Sequence, residues 1–216
     1  MYAIISHHNN LYEPLAKLTW YGNKIPYAEQ YGYHCEMEKI PDGSDMPSIQ
    51  RQKVAFINRM LNDPRNFEWV WWTGCDLIVT NFTVKMEDKV DDNYNMVLAT
   101  DCNGINADSI LIKNNEGSRS YWKMVEDVLP SLNGYWEGEQ KIMKDTLPHF
   151  QQTIKIVPQR HMNSYDYKLW NGLYHYIDHL GTSGQWEPGD WAMHWPANTL
   201  ENRIRFAQHY SQYIVK

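Results

Sequence analysis

The residues best placed to do chemistry lie in three short stretches. The first is Trp69-Val-Trp-Trp-Thr-Gly-Cys-Asp-Leu-Ile-Val-Thr-Asn81, in which an apolar run ends in an acid and a second apolar segment follows. A carboxylate there is costly to bury unpaired, so Asp76 should meet a cation, a hydrogen-bond cage or water. A metal would satisfy it, and an Asp that only caps a turn would look the same. The second stretch, Glu187-Pro-Gly-Asp-Trp-Ala-Met-His-Trp195, opens on Gly189 and Asp190 and presents His194. Imidazole suits a borderline metal such as Mn2+, whereas Mg2+ prefers oxygen. Alone, a His between Met193 and Trp195 reads first as a core residue. In the third, Gly138-Glu139-Gln140, an acid and an amide side by side could contact sugar hydroxyls, and Glu139 could steady positive charge at an anomeric carbon. A first-turn Glu that favours the helix dipole is the plain alternative.

The elements that must carry these residues alternate. Tyr2 to Ile5 reads as a short buried strand that stops at Ser6-His7-His8-Asn9-Asn10, and strand ends of this kind are where ligands sit in open α/β sheets. Tyr27 to Gly32 is expected to be helical, leading into a strand over Tyr33 to Met37. Pro47 to Asn62 spaces Ile49, Val54, Ile57 and Leu61 for a helix, and Trp69 to Trp72 reads as a central strand buried on both faces. Asn95 to Thr100 and Ser109 to Lys113 are expected strands flanking the polar stretch Asp101 to Asp108. Helices follow over Ser118 to Leu132 and Glu137 to Leu147, then a strand over Ile154 to Val157. Asn198-Thr-Leu-Glu201 has capping-box spacing ahead of a terminal helix. This order predicts a single α/β domain over residues 1–216, a mixed, mostly parallel central sheet flanked by helices.

Composition narrows the function. A net charge of −6 argues against a nucleic-acid partner, since phosphate backbones want a basic face, but a bound cation could still recruit one anionic nucleotide. Neither glycine-rich phosphate-loop signature occurs. The 10 Trp and 15 Tyr suit stacking on sugars as well as a core. Cys35, Cys75 and Cys102 show no C-x-x-C spacing, which fits a reducing, cytoplasmic setting. No run of about 18 apolar residues marks a membrane segment.

Six colinear segments carry a resemblance: Asn23 to Tyr33, the helix of Lys53, Trp71 to Asn81, Ile105 to Asn114, Glu139-Gln140, and Gly189 to His194. In this order they resemble the retaining galactosyl- and xylosyltransferases of the GT-A (Rossmann-like) fold, which include yeast mannan galactosyl/mannosyl enzymes and plant xyloglucan xylosyltransferases. In size and sequence the chain is also similar to the glycosyltransferase domains that build chlorella-virus capsid glycans, and so could be part of a longer multidomain chain. The resemblance implies transfer of a hexose or deoxyhexose from a UDP-sugar donor to a glycan or glycoprotein acceptor, with retention and with Mn2+ or Mg2+ as cofactor. The family's D-x-D falls on Gly74-Cys75-Asp76, so its first acid is missing. Asp76 and His194 are then the expected metal ligands, and Glu139 and Gln140 the pair near the reacting carbon. Ser6, His7, Lys53, Cys75, Asp76, Asn106, Asp108 and Asp190 are expected at the donor, with uridine near Ser6 and His7 and Tyr27 or Tyr33 available to stack. The family's Lys after the metal His has no counterpart, Thr199 standing near its place, and Arg203 or Lys53 is the expected substitute at the diphosphate. A carbohydrate-binding module without catalysis and a nucleotide-sugar hydrolase are the rival readings.

Overall fold

The computed structural model describes residues 1–167 and 183–216. Six strands form one sheet in the order β2 (His34–Lys39), β1 (Tyr2–His8), β3 (Trp69–Thr73), β6 (Gly104–Lys113), β5 (Met96–Asp101), β7 (Ile154–Val157). Only β6 runs against its neighbours; β1 pairs parallel with β2 and β3, and β5 parallel with β7. The expected mixed, mostly parallel sheet is therefore present. All five β3 residues are buried, as a central strand covered on both faces requires.

One face of the sheet packs on α3 (Met46–Leu61), α4 (Glu116–Val128) and α5 (Glu139–Phe150), through Val54, Ile57, Trp122 and Val125 against Val70, Trp72 and Ile110. On the other face Trp69 and Trp71 pack against a π-helical stretch (Lys17–Lys24), α2 (Ile25–Tyr31) and Trp191, while α1 (Glu13–Ala16) packs through Leu15 into a separate cluster with Ile78 and Trp195. Gly32 ends α2 in the left-handed region, where the missing Cβ avoids strain. A second, two-stranded antiparallel ribbon joins β4 (Leu77–Val79) to β8 (Ala192–His194), with α6 (Leu200–Tyr210) packed outside it.

Three expectations change in detail. The polar stretch before Ser109 is mostly strand, because β6 starts at Gly104 after a tight turn in which Asp101 accepts from the Asn103 backbone. The polar groups of Asn106 are satisfied inside the fold, by Asp101, Tyr165 and the Asp108 backbone, so polarity there does not mark a loop. The N-cap of α6 is Thr199, whose hydroxyl accepts from Asn202, one residue past the expected box. Tyr27 and Tyr33 are core residues, 0% and 8% exposed, and Tyr27 donates to the Val84 carbonyl; neither ring is free to stack on a base.

Candidate active site

The site lies where the carboxyl ends of β1 and β3 meet the start of β4 and the end of β8. The β4 and β8 ribbon sets its register: Leu77 pairs with His194, and Trp195 N donates to Asp76 O at 3.1 Å. That pairing brings His194 beside Asp76, with Nε2 at 3.2 Å from Oδ1. The two atoms are close without being aligned as a hydrogen bond, and Nε2 is a buried polar atom with no hydrogen-bond partner.

The rest of the ring decides what that nitrogen is. Tyr165 donates to Asp101 and accepts from the Asn163 amide, which turns Asn163 Oδ1 toward His194. His194 Nδ1 therefore donates to Asn163 Oδ1 at 2.9 Å, which leaves Nε2 facing the carboxylate, as a proton donor when the ring is charged and as a lone pair when it is not. A lone pair and a carboxylate repel unless a proton or a cation lies between them. Ligating histidines are held in this way, with the second ring nitrogen donating to a carbonyl or carboxylate.

Asp76 is held from its other side. Arg203 Nη2 sits 3.0 Å from Oδ2, and the guanidinium is itself fixed by the Trp195 carbonyl and the Tyr12 hydroxyl. Burial would raise the Asp76 carboxyl, but the facing His194 and Arg203 charges outweigh it and hold the group well below the usual carboxylate range. The loop carrying Asp76 is clamped by the π-helical stretch, a form that recurs at functional sites. Thr19 donates to the Cys75 carbonyl at 2.6 Å, Asn23 exchanges two hydrogen bonds with Val79, and Lys24 donates to the Gly74 and Leu77 carbonyls. Lys24 is fully buried, which pushes its amine down to about 8 against the pull of Cys75 and Asp76.

A second cluster adjoins the first. Lys53, on α3, is buried and lies 2.7 Å from Glu139 Oε1 and 3.4 Å from Asp108 Oδ1, while donating to the Ala107 carbonyl. Glu139 Oε2 has no hydrogen-bond partner. Gly138 leads into α5 at φ +53, and a Cβ there would meet Gln50 at 2.1 Å, so only glycine lets Glu139 enter at this depth. Gln140 Oε1 accepts from Ala107 N at 3.0 Å and ties α5 to β6. At the end of β1, Ser6 Oγ and His7 Nδ1 are buried without hydrogen-bond partners, and the His7 ring meets Trp72 edge-on at 4.9 Å. Burial, helped by the Lys53 charge, pushes His7 down to about 4, so it is a neutral donor or acceptor at ordinary pH.

Thus Asp76, His194, Asp108, Lys53, Glu139 and His7 lie in one region, with Gln140 tied to β6 beside them and Ser6 wholly buried next to His7 on β1. Three expected residues serve the frame instead. Asp190, at the far end of β8, grips Arg160, Ser164 and the Glu187 backbone. Asn106 is saturated internally, and burial pushes the Cys75 thiol up to about 11. Sequence reasoning missed Asn163 and Lys24. Nothing local marks Asn163, whereas Lys24 lies inside the Asn23 to Tyr33 segment of the resemblance. Among the described residues no three His, Cys, Asp or Glu side chains close into a ready metal centre. The His194 and Asp76 pair nevertheless fits a divalent cation that draws further ligands from elsewhere.

Comparison with known proteins bears on the family and the fold. Residues 4–96 match the galactosyl transferase GMA12/MNN10 family. The chain is 20% identical to the probable alpha-1,2-galactosyltransferase gmh2 of Schizosaccharomyces pombe, over 84% of this chain and 60% of that protein. It is 22% identical to the probable alpha-1,6-mannosyltransferase MNN10 of Saccharomyces cerevisiae, over 66% and 46%. It thus spans roughly half the length of such relatives. A glycosyltransferase involved in glycosylating the major capsid of PBCV-1 superposes with a TM-score of 0.74 at 15% identity, over 96% of this chain and 98% of that one. The galactosyltransferase LgtC superposes at 0.60 with 11% identity, over 98% and 95%. The resemblance read from the sequence is borne out, and the fold is the GT-A fold of glycosyltransferases.

Proposed function

We propose that this chain, a relative of the GMA12/MNN10 galactosyltransferases with a GT-A fold, transfers a hexose or deoxyhexose from a UDP-sugar to a glycan hydroxyl. The reaction uses Mn2+ or Mg2+ and retains anomeric configuration. The observation that carries this reading is the buried Nε2 of His194, turned toward Asp76 by the bond between Nδ1 and Asn163.

When bound, the cation supplies positive charge to the leaving diphosphate. Asp76 and His194 would hold it, and Arg203 keeps the Asp76 carboxylate turned toward the imidazole. Lys53 fixes Glu139 by one oxygen and leaves Oε2 to face the sugar, where a carboxylate steadies oxocarbenium-like charge. Gln140 anchors that helix to β6, so the carboxylate cannot retreat as charge develops. Ser6 and neutral His7 offer polar atoms to the nucleoside at the end of β1.

The test is thermal shift with UDP, GDP and ADP, each with and without Mn2+, followed by a UDP-sugar panel with glycan acceptors. A ligand at ~100 times its Kd adds about 2.7 kcal/mol of apparent stability, well within reach of a melt. UDP with Mn2+ should stabilise most, and Asp76→Ala should abolish the effect. No nucleotide response would point to a sugar-binding module. Turnover that ignores the acceptor would point to a nucleotide-sugar hydrolase.

A further inference from the structure

We propose that Asp108, on β6, supplies the carboxylate that Gly74 lacks and acts as a third protein ligand of the divalent cation. This rests on the metal-dependent reading above. The antiparallel register of β3 and β6 pairs Thr73 with Ser109, and one step further Gly74 N donates to Asp108 O at 2.8 Å. Residues facing each other across an antiparallel pair project to the same side. A Cβ built on Gly74 would lie 2.8 Å from Asp76 Oδ1, 3.6 Å from Asp108 Cβ and 3.7 Å from Asp108 Cγ. The space that an acid at position 74 would enter is therefore bordered by the side chains of Asp76 and Asp108.

Distances to the buried imidazole point the same way. From His194 Nε2, Asp76 Oδ1 is 3.2 Å away and Asp108 Oδ2 is 3.9 Å away. Ligands about 2.1 Å from a shared ion lie roughly 3.0 Å apart when cis and roughly 4.2 Å apart when trans. Both separations fall within that span. The independent pointer is Nε2 itself, on a side chain with 0% exposure and without a hydrogen-bond partner. Asp108 is 48% exposed, so its carboxylate can turn about its own torsions. Its nearest lysine, Lys53, is closer to Glu139, at 2.7 Å against 3.4 Å.

The arrangement is reciprocal. A Cβ on Gly74 would meet Asp108 Cβ in ordinary contact at 3.6 Å and press on Asp76 Oδ1 at 2.8 Å, so an acid at position 74 would share the space that the Asp76 and Asp108 carboxylates border. An acid at position 74 and an acid at position 108 are thus alternative ways to fill one ligand position.

The experiment is Mn2+ titration of the purified chain, with and without UDP, read from the loss of the free-ion EPR signal, with circular dichroism as the folding control. Asp108→Asn, which keeps size and hydrogen bonding, is expected to weaken Mn2+ by about tenfold or more. Asp108→Ala should weaken it as well, and Gly74→Asp added to Asp108→Ala should bring affinity back toward that of the unaltered chain. Unchanged affinity in Asp108→Asn, beside a loss in Asp76→Ala, would overturn the role of Asp108 and leave the metal reading standing. An unaltered chain that takes up no Mn2+ in either condition overturns both.

Discussion

Lys53 Nζ lies 2.7 Å from Glu139 Oε1, and both side chains are almost wholly buried, so two charges from different helices neutralise each other beneath the site. A buried pair is costly to assemble and costlier to break, because the partner left behind keeps its charge without compensation. Lys53→Met is therefore expected to lose about 3–5 kcal/mol of stability and all transfer activity. Lys53→Met with Glu139→Leu should regain stability without activity. Denaturant unfolding of the three proteins checks this, and a double variant no more stable than the single one would count against the pairing.

Asn163 fixes the imidazole tautomer without touching the expected cation. Asn163→Leu should weaken Mn2+ by roughly 10- to 100-fold, the usual effect of losing such an outer partner. Asn163→Asp keeps an acceptor for Nδ1 and should largely preserve binding. Calorimetric Mn2+ titration separates the two. Equal affinity in all three proteins would remove Asn163 from the site.

Lys24 carries the turn that bears Asp76. Lys24→Met strips a donor from the Gly74 and Leu77 carbonyls, and a buried carbonyl left unpaired costs ~1–3 kcal/mol. The variant should melt earlier and bind Mn2+ more weakly, because the orphaned groups flank Asp76. Unaltered melting with unaltered affinity would show the clamp to be idle.

Acid should destabilise the chain in two stages. Burial, with Lys53 beside His7 and Lys89 beside His161, pushes both imidazoles from 6.5 down to about 4. Between those values the unfolded chain binds protons that the folded chain refuses. Stability is therefore full above pH about 6.5, falls as pH drops toward about 4, and loses nothing more from this source below that. Asp76 acts later: its depressed carboxyl contributes stability that is present above the ordinary value of 3.8 and fades below it. Melting temperature followed from pH about 7 down to about 4 should decline, and His161→Gln should flatten the decline.

Much of the sheet was legible because its strands are nearly unbroken apolar runs. Trp69 to Trp72 could hardly be anything but a central strand, and Ile49, Val54, Ile57 and Leu61 repeat at helical spacing. The misreadings came from residues whose partners lie elsewhere in the chain. Asn106 looks solvated until Asp101 and Tyr165 are seen to saturate it, and Tyr27 looks available until Trp191 packs on it. Asp76 and His194 were legible only together, through the order of six segments. Asn163 was not legible at all, since a single amide matters there for the direction of one oxygen. Asp190 was expected at the donor through the resemblance alone, and its carboxylate instead closes a turn with Arg160 and the Glu187 backbone.

The β4 and β8 ribbon also imposes an order of assembly. Every strand of the main sheet has been made once residue 157 emerges, yet His194 arrives only with the last strand. Contacts between segments so distant along the chain close late, since the intervening loop entropy must be met first. A nascent or C-terminally clipped chain could therefore hold the sheet, Asp76 and the Lys53 and Glu139 pair while having no imidazole to offer a cation. Competence at the metal would then report that the chain has been made at least as far as β8.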